Sequence, residues 1–327
     1  MLDSNYTRFA DMKEGARYSQ PALVISMEDN VARTGKKYVK FRLADGVGTI
    51  QANIFDATVS SMRQKGITEG VVAQIDVTVK KPYYNVSGII LNPDPGVSTD
   101  DFICTAPGDP VEMYYKIYNS IFDSLSCHDE GDANLWIVVD DILANYQDGY
   151  MYSSAAKTIH HACKSGLLYH SYRMTMAAVD LLKTYTNLDK ALLTAGAALH
   201  DIGKLQELET NEFGEAAYTV KGRLFGHAIL GVQMIDEAAE RLGCQCEKIE
   251  MLKHIIASHH GKNEYGACTV PAIPEALCVN MLDTLDAKMY QLEEALETSD
   301  PGELTKKVFG LENHTAYRMS RSVEGAA

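Results

Sequence analysis

"ALHDIGK", residues 198–204, sets an imidazole and a carboxylate side by side at the close of an apolar run, just before a glycine and a lysine. The run that leads into it, "LDKALLTAGAALHD" (188–201), spaces its apolar residues helically, so His200 and Asp201 are expected at a helix end. Ends of different helices can converge on one cavity, and the flanking sequence repeats the arrangement. His170 opens "HSYRMTMAAVDLL", His227 opens "HAILGVQMI", His259 and His260 close "CEKIEMLKHIIASHH", and Asp283 lies within "CVNMLDTLDAKM". Eight of the ten histidines fall between 160 and 260, and imidazole nitrogen with carboxylate oxygen at such points can build a mixed site for Mn, Fe, Zn or Mg-like ions.

Outward from this stretch the helical period extends from residue 110 to about 296. Besides the segments above it takes in "PVEMYYKIYNSIFDSL", "ANLWIVVDDILANY", "SSAAKTIHHACKSG" and "IPEALCVNMLDTLDAKMYQLEEAL", with no convincing strand, so an all-α domain is expected over 111–312 and a frayed tail over 313–327. Upstream the texture changes. From Pro21 to Leu91 five β-branched, alternating segments ("ALVISM", "KKYVKFRLAD", "GTIQANIFD", "VVAQIDVTVK", "YYNVSGIIL") predict strands, with Asp45-Gly46 turn chemistry after the second and a short helix in "ATVSSMRQKGI" after the third. Five strands with a helix after the third is the order of an OB-type barrel, expected over 1–91. Residues 92–110 hold four of the nine prolines and read as a linker.

Charge divides the same way. Residues 1–105 contain 12 Lys+Arg and 12 Asp+Glu of the chain's 30 and 44, so the whole net charge of −14 lies beyond them. A strongly acidic helical body opposes an extended polyanion surface unless metal ions or a local basic groove intervene. Seven scattered cysteines fit reduced thiols better than a disulfide framework, and Cys244-Cys246 without a second pair is weak as a metal motif. With no long apolar window and no signal-like start, neither membrane insertion nor secretion is expected, which leaves the cytoplasm.

The ordered series His, His-Asp, His, His-His, Asp on successive helical segments resembles the HD-domain metal-dependent phosphohydrolases, in the version whose extra histidines can hold two metals. The combination of "HHACKSGLLYHSYRM", "LHDIGK", "FGHAILG", "HIIASHHG" and "LDTLDAK" behind an OB-like barrel is similar to the YhaM-type 3′→5′ exoribonucleases. By that resemblance His170, His200, Asp201 and Asp283 hold one metal, and His227, His259 and His260 with Asp201 hold the other, Mn first among the candidates and Fe, Mg, Co or Zn after it. Phosphodiester cleavage needs a hydroxide in line with the leaving oxygen and cations to absorb charge on the non-bridging oxygens, tasks two ions about 3.5 to 4 Å apart can share. Asp201 suits the bridging carboxylate. Asp286, three residues after Asp283 and its neighbour on a helix, is the rival for the last position.

Lys204 follows the His-Asp pair by a turn or less, and "HDIGK" resembles the phosphate-contacting version in HD-GYP phosphodiesterases, so a catalytic or substrate-holding role stands beside that of an ordinary helix-end lysine. His160 and His161 could border a substrate channel, as a similar pair does in related exoribonucleases. His254, five residues before His259, does not share its face. In the barrel, Tyr38, Phe41, Phe55, Tyr83 and Tyr84 occur among Lys36, Lys37, Lys40, Arg42, Lys80 and Lys81, the equipment for stacking single-stranded bases, with Tyr83 and Tyr84 the named candidates; core rings and edge-guarding lysines are the bland alternative. The expected function is metal-dependent 3′→5′ hydrolysis of single-stranded RNA, with single-stranded DNA a further substrate and a homo-oligomer open. The alternatives are a nucleotide or cyclic-dinucleotide phosphohydrolase and a non-catalytic nucleic-acid adaptor. A nucleotidase has no obvious need of an OB module.

Overall fold

A computed structural model describes residues 6–94, 96–156 and 163–320. The chain divides into two compact units, Met1–Thr105 and Ala106–Ala327.

In the first unit, strands β1 (Arg17–Val31), β2 (Lys37–Ala44), β3 (Thr49–Phe55), β4 (Val72–Lys80) and β5 (Tyr83–Leu91) close into a barrel in the order β1-β2-β3-β5-β4, with helix α1 (Val59–Gln64) between β3 and β4. This is the OB arrangement expected from the alternation. The inward set, including Val24, Val39, Phe41, Leu43, Ala52, Ile75, Val77 and Val79, fills the interior, and a slip of one residue would expose it. Asp45, at the β2–β3 turn, is buried and accepts bonds from the backbone amides of Phe9 (2.6 Å), Val47 (3.0 Å) and Gly48 (2.7 Å). The adjacent Gly46 has φ +85°, and a Cβ there would strike the Asp101 carbonyl. Asp45→Ala therefore leaves three amides without this acceptor and is expected to cost about 2 to 3 kcal/mol, read as a lowered melting temperature; an unchanged melting temperature would show that water replaces the carboxylate freely.

The expected linker is only partly one. Phe102, in a 3-10 turn over Thr99–Phe102, is fully buried, stacks edge-on with Tyr6 and accepts from the Gly46 amide at 3.0 Å, so residues up to 105 belong to the first unit. The proline-rich composition hid this because a single buried aromatic anchors the segment.

The second unit consists mainly of helices α2 (Pro110–Ser124), α3 (Glu130–Asn145), α4 (Gln147–Tyr152), α5 (Gly166–Leu181), α6 (Lys190–Leu199), α7 (Lys204–Glu207), α8 (Val220–Leu242), α9 (Glu247–Ser258) and α10 (Pro274–Glu297). Asp109, Asp129 and Asp189 cap α2, α3 and α6, each accepting from a first-turn amide. α6 is buried along its length and is the axis of the core. To the all-helical expectation the structure adds one small hairpin, β6 (Leu208–Thr210) with β7 (Ala216–Tyr218), whose three-residue strands are too short for alternation to register. "SSAAKTIHHACKSG" departs further: its described residues 153–156 and 163–165 are not helical, and 157–162, with His160 and His161, lie outside the described residues. Beyond α10 the chain is not frayed through 318, because Arg318 donates to the Leu296 carbonyl and Thr305 bonds the Ala316 amide; residues 321–327 lie outside the described set.

Candidate metal centre

Five elements deliver the side chains. Ser165, in the left-handed region at φ 62°, starts α5, and His170 projects from inside that helix, one turn later than its expected place at the opening. His200 caps α6 and Asp201 follows in the turn to α7. α8 breaks at Gly226 (φ 71°, ψ 158°), the residue before His227. His259 caps α9, with His260 next, and Asp283 lies on α10. Gly203 lets the start of α7 press on α8, where a Cβ would collide with the His227 carbonyl and the Gly231 nitrogen.

The five histidines and two aspartates of the sequence reading meet. His170 Nε2 lies 3.1 Å from His200 Nε2 and 3.3 Å from Asp283 Oδ1. His227 Nε2 lies 2.9 Å from His260 Nε2 and 3.4 Å from His259 Nε2. Asp201 stands between the groups, Oδ2 at 3.4 Å from His200 and 3.6 Å from His170, Oδ1 at 3.4 Å from His227 and 3.7 Å from His259. Among the described residues, two sets, His227-His259-His260 and His170-His200-Asp201, have ligand atoms close enough to share an ion.

Outer partners fix which nitrogen faces inward. His200 Nδ1 donates to the Ala197 carbonyl at 3.0 Å and His259 Nδ1 to the Ile256 carbonyl at 2.6 Å, since a carbonyl can only accept. His170 Nδ1 meets Asp286 at 2.7 Å and His227 Nδ1 meets Glu207 at 3.1 Å. Rings so held turn their Nε2 atoms toward one another and toward Asp201, the orientation in which imidazoles share a cation. Asp201 Oδ1 is buried with no hydrogen-bond donor, and this orphaned oxygen also fits a metal. The donor set, imidazole nitrogens with carboxylate oxygens, is that of Mn, Fe or Zn sites.

Electrostatics agree. Burial alone would raise the Asp201 carboxyl, yet Lys204, His200 and His227 hold it well below the usual carboxylate range. Burial lowers His170, but Asp283 and Asp286 outweigh it and push it up to about 9. His259 is held well below its ordinary value by burial and by His260 and His200, so it is neutral and able to ligate. Lys204 Nζ sits 2.6 Å from Asp201 Oδ2, and this partner, against burial, keeps it charged.

Sequence reasoning missed Glu207, three residues after Lys204, and gave Asp286 only as a rival for Asp283. In the structure Asp283 faces the cluster, while Asp286 backs His170 and is itself held by Arg173 Nε at 2.5 Å, with Arg173 forked onto Glu293. A three-residue helical offset from a site residue was the available signal for both. His254 accepts from the Ala272 amide at 2.9 Å, away from the cluster. In the barrel Tyr84 is 8% exposed with its ring inside, whereas Tyr83 is 59% exposed, so only Tyr83 is placed to meet a base. Alternation decides it, because adjacent strand residues face opposite sides.

Gly203→Ala tests the packing that aims His227. The collision is with backbone, so relief requires α7 and α8 to part; a loss of about 1 to 3 kcal/mol in stability is expected, with weakened metal retention. Unfolding by denaturant and metal analysis of the purified variant check both, and wild-type values in each would remove the proposed constraint.

Among the described residues no helix is long and apolar enough to cross a membrane. The HD domain family model matches residues 167–288. The chain is 34% identical over 307 residues to the 3′-5′ exoribonuclease YhaM of Bacillus velezensis, covering 93% of this chain and 95% of that protein. It is 33% identical over 313 residues to the protein of that name from Bacillus subtilis strain 168, with 93% and 95% covered, and 31% identical to that of Listeria innocua, with 95% and 97% covered. No solved structure matches.

Proposed function

This chain belongs to the YhaM family of 3′-5′ exoribonucleases, and on that premise we propose that it is a divalent-metal-dependent hydrolase that shortens single-stranded RNA from its 3′ end at the His/Asp cluster. The observation that carries the reading is the convergence of histidine Nε2 atoms on Asp201, whose Oδ1 is buried and unpartnered. His170, His200, Asp201 and Asp283 would hold one ion, and His227, His259, His260 and Asp201 a second, with Mn the first candidate. Bound ions supply an activated water near neutral pH and neutralise charge on the phosphate. The chain's own groups do the rest. Glu207 and Asp286 orient His227 and His170, and Lys204, held in a charged state against the cluster, is positioned to take a phosphate oxygen.

The barrel carries a surface suited to a single strand. On the outward side of β2 and β3, Tyr38 pairs with Phe55 (ring centroids 5.4 Å), Lys40 lies opposite Asn53 and Arg42 opposite Gln51, and Lys36 Nζ lies 5.5 Å from the Phe55 ring. Exposed rings beside cations stack bases and hold phosphates without sequence preference. Incubating the protein with 5′-labelled single-stranded RNA and, separately, cyclic dinucleotides, with Mn²⁺ and with chelator, tests the reading: a ladder of shortened RNA that chelator abolishes is expected. Turnover of the cyclic dinucleotides alone would replace it with a nucleotide phosphohydrolase.

A further inference from the structure

The first turn of α8 has a composition that the fold does not require. "VKGRLFG", residues 220–226, leaves Val220 78%, Leu224 70% and Phe225 49% exposed, with Lys221 and Arg223 also exposed between them. Val220 and Leu224 share a face at the four-residue spacing. The left-handed backbone at Gly226 separates this turn from the rest of α8, and His227 follows at once. The turn is also anchored to the cluster. Gly222 packs so closely on Glu207 that a Cβ would meet the Glu207 carbonyl, and the Glu207 carboxylate bonds both the His227 amide (3.2 Å) and its Nδ1 (3.1 Å). Lys221 Nζ bonds Gln206 at 2.6 Å, beside Glu207.

Charge singles out the same segment. The acidic excess of the chain lies wholly beyond residue 105, yet no acidic residue occurs between Glu215 and Asp236, while Lys221 and Arg223 do. A cationic, acid-free turn bearing an exposed ring, fixed at the rim of a metal-ligand cluster, is complementary to a polyanion with stacking faces. Resting on the exoribonuclease reading, we infer that this turn is a substrate subsite of the helical unit: Phe225 stacks on a base of the incoming single strand and Arg223 holds a phosphate. The local basic patch adds to Lys204 a second cationic contact for retaining RNA next to the cluster.

Equilibrium binding of the metal-loaded full chain to fluorescent single-stranded RNA, made hydrolysis-resistant by phosphorothioate linkages, tests this as a function of salt. Phe225→Ala should weaken binding roughly tenfold, within the range of one lost base-stacking contact, and Phe225→Trp should restore it. Arg223→Gln should reduce the slope of log affinity against log salt by about 0.7, the value for one phosphate contact on a single strand. Melting temperatures should match wild type for all three, because the side chains are exposed. Wild-type affinity and slope in Phe225→Ala and Arg223→Gln would overturn the subsite alone. A change of oligomeric state in Phe225→Ala with RNA binding intact would overturn it too and assign the patch to a second copy of the chain. Wild-type protein that binds no single-stranded RNA would instead bring down the exoribonuclease reading beneath it.

Discussion

Asp201→Asn is expected to lower RNA hydrolysis by at least three orders of magnitude, about 4 kcal/mol of transition-state stabilisation, and to reduce bound metal in the same preparation. The substitution keeps the shape of the side chain and removes the negative charge on which His170, His200, His227, His259 and Lys204 converge. Asp201 lies 3.4 to 3.7 Å from two rings in each histidine group, whereas Asp283 approaches one ring in each, His170 at 3.3 Å and His260 at 4.0 Å. Lys204 loses its closest partner, so the variant's melting temperature is measured alongside activity and metal content to separate lost chemistry from lost fold. Full metal content with near-normal turnover would sink the role given to Asp201.

RNA annealed to its complement should resist, and so should RNA whose 3′ end is blocked. His170, His200, Asp201 and His259 are buried, while His227, His260 and Asp283 form the accessible edge. A phosphodiester can reach such a recess only at an end freed from its partner strand. Opening two stacked steps costs about 1.2 to 4.4 kcal/mol if duplex DNA at 0.6 to 2.2 per step is a guide, which slows each cut roughly ten- to a thousandfold. The direction follows from the family and not from the geometry. Product lengths from 5′-labelled RNA, free, blocked and annealed, decide the matter; early internal cuts, or equal digestion of all three, would exclude stepwise attack from a 3′ end.

Periodicity alone determined most of the fold. Alternation over residues 21–91 and helical spacing beyond 110 located five strands, the helix after the third, and the principal helices, because half-buried strands and amphipathic helices must display their apolar residues at those periods. The same sequence marked the seven side chains that meet at the centre, through the resemblance of their ordered series to the HD-domain phosphohydrolases. What it left open required neighbours distant in the chain. Asp283 and Asp286 lie three residues apart on one helix, and only the packing of α10 against α5 sends the first to the inward Nε2 of His170 and the second to its Nδ1 at the back. Tyr83 and Tyr84 are equally aromatic until the barrel closes and puts one ring outside and the other within. Glu207 carries no motif of its own; it acquires a role because Gly203 and Gly222, lacking side chains, let α7 approach α8 closely enough for a carboxylate to reach His227. The chemical groups are therefore local properties of the sequence, whereas their orientation is set by contacts between elements, which the order of residues along the chain does not encode position by position.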